Sequence, residues 1–258
     1  LSANDRAIVL KLLGVTEDDL KNYTVTTITN ADEHKYLDSY LSKSVIGTRA
    51  LSSVLVKGKT DGSGIKVTTY NITYCTTGMY QNALATAGIE DAEIVVAGPY
   101  NISGTAALVG AIKSYENMTG ETVSQENVDT ATNELVVTGK LAESVGDSDK
   151  AEQLVGAVKE QVVEGSDNGK KLTEEEIGNV VDQAAQEMDV QLSDEDRQEI
   201  VALMDKIKGL DIDVDSLKEQ AKDLYDKIDD LGLKLDWNQE KVQGFFSKII
   251  EFFKNLFS

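Results

Sequence analysis

The chain has 258 residues, 41% of them apolar, which suffices for one large domain or two modest ones with conventional cores. Its 45 acidic residues against 25 Lys and Arg give a net charge of -20, and a surface of that sign repels a phosphate backbone, which excludes nucleic acid as a partner. The single cysteine, Cys75, allows no intramolecular disulfide, the single histidine, His34, leaves no zinc-type ligand set, and no cofactor is expected.

DRAIVLKLLG carries Ile8, Val9, Leu12 and Leu13 at helical spacing, which predicts a short amphipathic helix stopped by Gly14. YTVTTIT, residues 23–29, alternates in period two with β-branched residues and reads as a strand. Asn30 is expected to cap the helix that follows, ADEHKYLDSYL, on which His34 reads as a solvated surface residue. Residues 50–59 and 65–75 read as two strands joined by TDGSG as a hairpin turn, with Cys75 a half-buried small side chain at the end of the second. Residues 77–87 read as a helix ended by Gly88, and AEIVVAG is a continuous apolar run expected as a buried strand ending at Gly98. Strand, helix, strand, strand, helix, strand is the ferredoxin-like βαββαβ order, an antiparallel four-stranded sheet covered by two helices on one face.

From Ser124 onward strand signals stop, and helices are predicted at 124–144, 148–164, 173–188, 193–208, 214–231 and 238–257. Thr173 with Glu176 has capping-box spacing, and Ser193 with Asp196 is a weaker version. The expected fold class is therefore α+β, with a ferredoxin-like domain at 1–120, an acidic helical region at 121–258, and a flexible joint at 166–171 in EGSDNGKK. Charge follows a similar division: residues 1–146 hold 17 acids against 11 bases, residues 147–258 hold 28 against 14. Asp211, Asp213 and Asp215 open like a calcium loop, but Ser216 and Lys222 stand where Gly and Glu are required, so no metal is expected.

Particular strings carry a resemblance over nearly the whole chain: GVTEDDL, IGTRALSSVLV, AGPYNISGTAALVGAIKSYENMTG, TNELVVTGKL and LSDEDRQEIVALM. The chain resembles the YpuA-like secreted proteins of Gram-positive bacteria, a family of unknown function. The resemblance implies an exported protein whose signal peptide is removed, acting at or outside the cell envelope, and it supplies no catalytic residues.

Two places carry candidate binding residues. In AGPYNISGTAALVG the only proline follows a buried strand, and Ser103, Gly104 and Thr105 open a helix whose N-terminus favours anions, with Tyr100 in the approach. Thr48 and Arg49 precede a strand, and the Arg49 guanidinium is able to fork onto a carboxylate or phosphate or to bridge an acidic neighbour. The second place is the closing segment, which holds all five phenylalanines and the only tryptophan. Phe245, Phe246, Ile249, Ile250, Phe253, Leu256 and Phe257 fall largely on one helical stripe, Lys241, Lys248 and Lys254 fall mostly opposite, and Trp237 suits a water–lipid boundary. Packing into the helical half, a membrane surface and a protein partner are the three destinations for that stripe. The leading expectation is a non-catalytic envelope protein whose last helix contacts membrane or a partner; the alternative is a small-ligand or glycan-processing cleft near Arg49 and Ser103-Gly104-Thr105. A homo-oligomer stays open.

Overall fold

AEIVVAG forms the middle of a three-stranded sheet. The computed structural model describes residues 1–213 apart from 42, 61 and 168–170, together with residue 217. Its strands are β1 (Ser53–Gly58), β2 (Ile65–Ile72) and β3 (Ala92–Ile102), in the order β1-β3-β2. β3 lies antiparallel to β1 and parallel to β2, so the sheet is mixed. Ala92, Ile94, Val96 and Ala97 are fully buried, as a strand flanked by a neighbour on each edge requires.

This arrangement replaces the expected four-stranded antiparallel sheet. β1 and β2 do not pair as a hairpin, because β3 stands between them, and the TDGSG connection has to span two strand spacings, about 10 Å. Asp91, just before β3, holds that connection: its carboxylate accepts the Gly62 N–H at 3.0 Å and the Gly64 N–H at 2.7 Å. Residues 23–29 are extended but form no ladder. Their alternation provides no buried face, since Tyr23 and Val25 are exposed and only Ile28 packs partly against the core. β3 runs past Gly98 to Ile102 through Pro99, and it does so across a register shift, where the partner of Tyr70 is Ala97 and the partner of Ile72 is Ile102. A proline fits there because no ladder hydrogen bond asks for its missing N–H.

The helices are α1 (Ala3–Leu13), α2 (Asn30–Leu37), α3 (Lys43–Ile46), α4 (Thr77–Thr86), α5 (Thr105–Thr119), α6 (Gln125–Val145), α7 (Ser148–Asp167), α8 (Glu174–Glu187) and α9 (Asp194–Ile207). α1 stops at Gly14 in the left-handed conformation, and the capping boxes of α8 and α9 are Thr173 with Glu176 and Ser193 with Asp196. α2 begins one residue earlier than the sequence suggested: Thr29 is its cap, in a reciprocal pair with Asp32, and Asn30 is the first helical residue. The helices expected at 214–231, apart from residue 217, and at 238–257, and residues 168–170 of the joint expected at 166–171, fall outside the described residues, while Ser166 and Asp167 close α7. The residues of the closing aromatic stripe lie there too.

α4, the crossover helix between β2 and β3, packs on β2 and also against α6 and α7. One apolar cluster consequently runs from the sheet through α4 into α6, α7, α8 and α9. α7 is buried all round from Ala151 to Val163, although Lys159, Glu152, Gln153, Glu160 and Gln161 lie within that stretch. Lys159 shows how such a helix is tolerated. Its ammonium donates to the Asn82 carbonyl at 2.7 Å and the Thr86 hydroxyl at 3.2 Å, and it stands 2.9 Å from Glu134 Oε1 of α6. Thr86 in turn donates to the other Glu134 oxygen. Burial lowers the Lys159 pKa, and the Glu134 charge opposes that fall.

Removing one partner of this pair strands the other charge in the core. Lys159→Ala is expected to lower the unfolding free energy by about 3–5 kcal/mol, and Lys159→Met combined with Glu134→Leu is expected to recover most of the loss. Urea unfolding followed by far-UV circular dichroism measures both variants.

Candidate functional site

β2 and β3 run parallel, so both lead into helices at the same edge of the sheet: β2 into α4 and β3 into α5. The crevice outside the carboxyl ends of parallel strands is where open α/β sheets bind ligands. A cavity of about 500 Å³ occupies that position. It is lined by the β3–α5 turn, by Thr73 and Tyr74 beyond β2, by the α3–β1 connection, and by Glu33 of α2. Its volume falls within the range of small-molecule sites, about 300–1,000 Å³.

The β3–α5 turn is pinned from below. Thr73 donates to the Ile102 carbonyl through its N–H at 2.9 Å and its hydroxyl at 3.0 Å, and the Cys75 N–H donates to the Ser103 carbonyl at 3.1 Å. The Tyr80 hydroxyl, fully buried on α4, donates to the Gly104 carbonyl at 2.6 Å. Gly104 itself caps α5 with φ 92 and offers no side-chain acceptor; its carbonyl accepts the Ala107 N–H at 3.0 Å, and no side-chain cap covers the other first-turn N–H groups. A Cβ on Gly104 would lie 2.6 Å from both Ile72 Cγ2 and Tyr80 Oη. Glycine is therefore required twice, by conformation and by space.

Two charged side chains line the cavity, one of each sign. Arg49 enters from the α3–β1 connection and its Nη2 donates to the Tyr100 hydroxyl at 3.1 Å. No carboxylate pairs with Arg49 among the described residues. Glu33 enters from α2 and is 2% exposed. Its carboxylate accepts the Thr105 hydroxyl at 2.6 Å and the Asn30 amide at 3.3 Å. Burial raises the Glu33 pKa, and the Thr105 and Asn30 donors work against that rise. Burial also pushes the Cys75 thiol up to about 12, which makes it an inert core group rather than a nucleophile. His34 sits on the outer side of α2 with Nδ1 2.6 Å from Asp38. No cluster of His, Cys, Asp and Glu suited to a metal ion occurs among the described residues.

The structure thus brings the two predicted loops together. Thr48, Arg49, Ser103, Gly104 and Thr105 line one cavity, and Tyr100 stands at its margin as the partner of Arg49. Ser103 and Thr105 turn partly toward each other, with their hydroxyl oxygens 3.4 Å apart, and neither caps α5. Glu33 was not legible as a site residue, because ADEHKYLDSYL reads as a solvated charged helix. A signal was present: Glu33 is three and four residues before Tyr36 and Leu37, the buried residues of α2, and so lies on its apolar face.

The demands on Gly104 set an expectation. Gly104→Ala should lower the thermal midpoint by at least twice as much as Gly120→Ala, where φ is 79 but nothing stands within 4 Å of the new methyl. The second substitution measures backbone strain alone, about 1 kcal/mol, and the first adds the collision with Ile72 and Tyr80. Thermal unfolding of both variants at one pH provides the comparison.

No helix among the described residues is long and apolar enough to cross a membrane. The whole chain is 36% identical over 261 residues to the uncharacterized protein YpuA of Bacillus subtilis (strain 168), covering 84% of that protein. No solved structure matches it. The family model described as "Protein of unknown function (DUF1002)" matches residues 1–224, and the chain belongs to that family.

Proposed function

We propose that this protein is an exported, envelope-associated binding protein without catalytic activity, and that its cavity receives a small carboxylate-bearing ligand. The observation that carries the proposal is the convergence of Arg49 with the uncapped N-terminus of α5 on one cavity of about 500 Å³. Arg49 gives part of its guanidinium to Tyr100 and keeps donors for a ligand. A planar carboxylate matches two donors of that fork, and the first-turn N–H groups of α5 add positive potential. The export reading rests on the resemblance to secreted proteins. A single cysteine that is buried and inert suits an oxidising compartment, because it offers no thiol for unwanted exchange. The non-catalytic reading rests on the groups facing the cavity: neither the buried Cys75 thiol nor His34, paired with Asp38, belongs to its lining.

Titration with acetate, followed by amide resonances, tests the cavity. Shifts should cluster at Thr48, Arg49 and 103–106, and Arg49→Gln should abolish them without moving the thermal midpoint. Unchanged shifts in the variant would remove Arg49 from the site.

A second reading rests on the sequence alone, in the apolar stripe from Phe245 to Phe257 with Trp237 at its head. The proposed role of that segment is contact with a membrane surface or a protein partner. Co-sedimentation with anionic and neutral vesicles, for the intact chain and a version ending at Asp236, is expected to show binding that truncation removes. Loss of stability on truncation, with no vesicle binding by the intact chain, would assign the phenylalanines to the core instead.

A further inference from the structure

We infer that the ligand is a zwitterion of the α-amino-acid class, its carboxylate held by Arg49 and its protonated amine by Glu33, with an apolar side chain. This rests on the carboxylate-binding reading above and adds a second pole to it. Among the residues lining the cavity, Glu33 and Arg49 are the two that carry charge, and they do not form an ion pair with each other. An acid and a base that face one cavity and stay apart leave each other's charge uncompensated.

Glu33 is the more demanding of the two. It is 2% exposed, it has no cation within ion-pair distance among the described residues, and its hydrogen-bond donors, Thr105 and Asn30, are neutral. A buried carboxylate without a counter-charge is costly, and a protonated amine supplies both the charge and the missing donors. Two oxygens offer about four acceptor positions, of which the two named donors occupy two, so room for an ammonium remains. Arg49 is exposed and lines the same cavity, as do Ser103, Gly104 and Thr105 at the start of α5. Ile46, Leu51 and Ile102 line the same cavity and offer surface to an aliphatic side chain rather than to a sugar. The whole-chain charge of -20 adds selectivity, since it penalises a net anion and leaves a net-neutral zwitterion unopposed.

Isothermal titration of the full chain with L-leucine, N-acetyl-L-leucine and isoamylamine tests this. The first compound carries both poles, the second only the carboxylate, the third only the amine. L-leucine should bind, and each single-pole compound should bind about tenfold more weakly or less, the loss expected for one charge-assisted contact. Glu33→Gln should bring L-leucine down to the level of N-acetyl-L-leucine, while Arg49→Gln should weaken both carboxylates. If N-acetyl-L-leucine binds as well as L-leucine in the wild-type protein, the zwitterion inference falls and the carboxylate reading stands. If neither carboxylate binds, and acetate shifts no cavity resonance, both fall together. Should Glu33→Gln not fold, the three-compound comparison on the wild-type chain decides by itself.

Discussion

The buried ammonium of Lys159 is the constraint on which the rest of the molecule leans. α7 is enclosed between Ala151 and Val163, so a lysine there has no route to water and must find its counter-charge and acceptors inside. Glu134 of α6 provides the charge, while Asn82 and Thr86 of α4 provide the acceptors. Three helices distant in sequence are thereby fixed in rotation about their own axes, because turning any one of them unpairs a buried charge. α4 is also the crossover between β2 and β3. Its orientation sets where Tyr80 points, and Tyr80 holds the Gly104 carbonyl at the mouth of α5. An ion pair far along the chain is in this way connected to the geometry of the cavity through one helix and one hydroxyl.

The proposed carboxylate ligand of so acidic a protein requires positive potential that is local. Net charge acts over distances comparable to the Debye length, about 8 Å in physiological salt, and beyond that it is screened. Among the residues lining the cavity, the positive contributions are the Arg49 guanidinium and the N–H groups at the start of α5. The sheet topology delivers that proximity. Because β1 pairs antiparallel with β3, the connection leading into β1 and the turn leaving β3 meet at one edge of the sheet, which brings Arg49 to Tyr100 across 51 residues of sequence.

The helices were legible because their signals are local. Capping boxes at Thr173 and Ser193, the glycine stop at Gly14, and the periodicity of α6 to α9 all act within one or two turns of the chain. Strand pairing is a contest between segments, and there local reading misled. The glycine-rich TDGSG looked like a hairpin, yet the more apolar β3 took the central position and Asp91 secured the longer span. YTVTTIT had strand propensity without a buried face, so it gained no ladder. Within the site, the glycine and hydroxyl residues of the β3–α5 turn were readable from their chemistry. Glu33 was hidden by charged neighbours, although its spacing from Tyr36 and Leu37 placed it inward.

Two buried glutamates in this chain are handled in opposite ways, and the contrast bears on what the cavity is for. Glu134 lies in the middle of the helical core, where it receives a lysine and a threonine, and its charge is compensated within the protein. Glu33 is almost as deeply enclosed but has neutral donors only, and it faces a cavity rather than packed side chains. A glutamine in its place would keep one of the two accepted hydrogen bonds and remove the desolvated charge. On the zwitterion proposal, the ligand's amine compensates a carboxylate that shares its cavity with Arg49 and has neutral donors only.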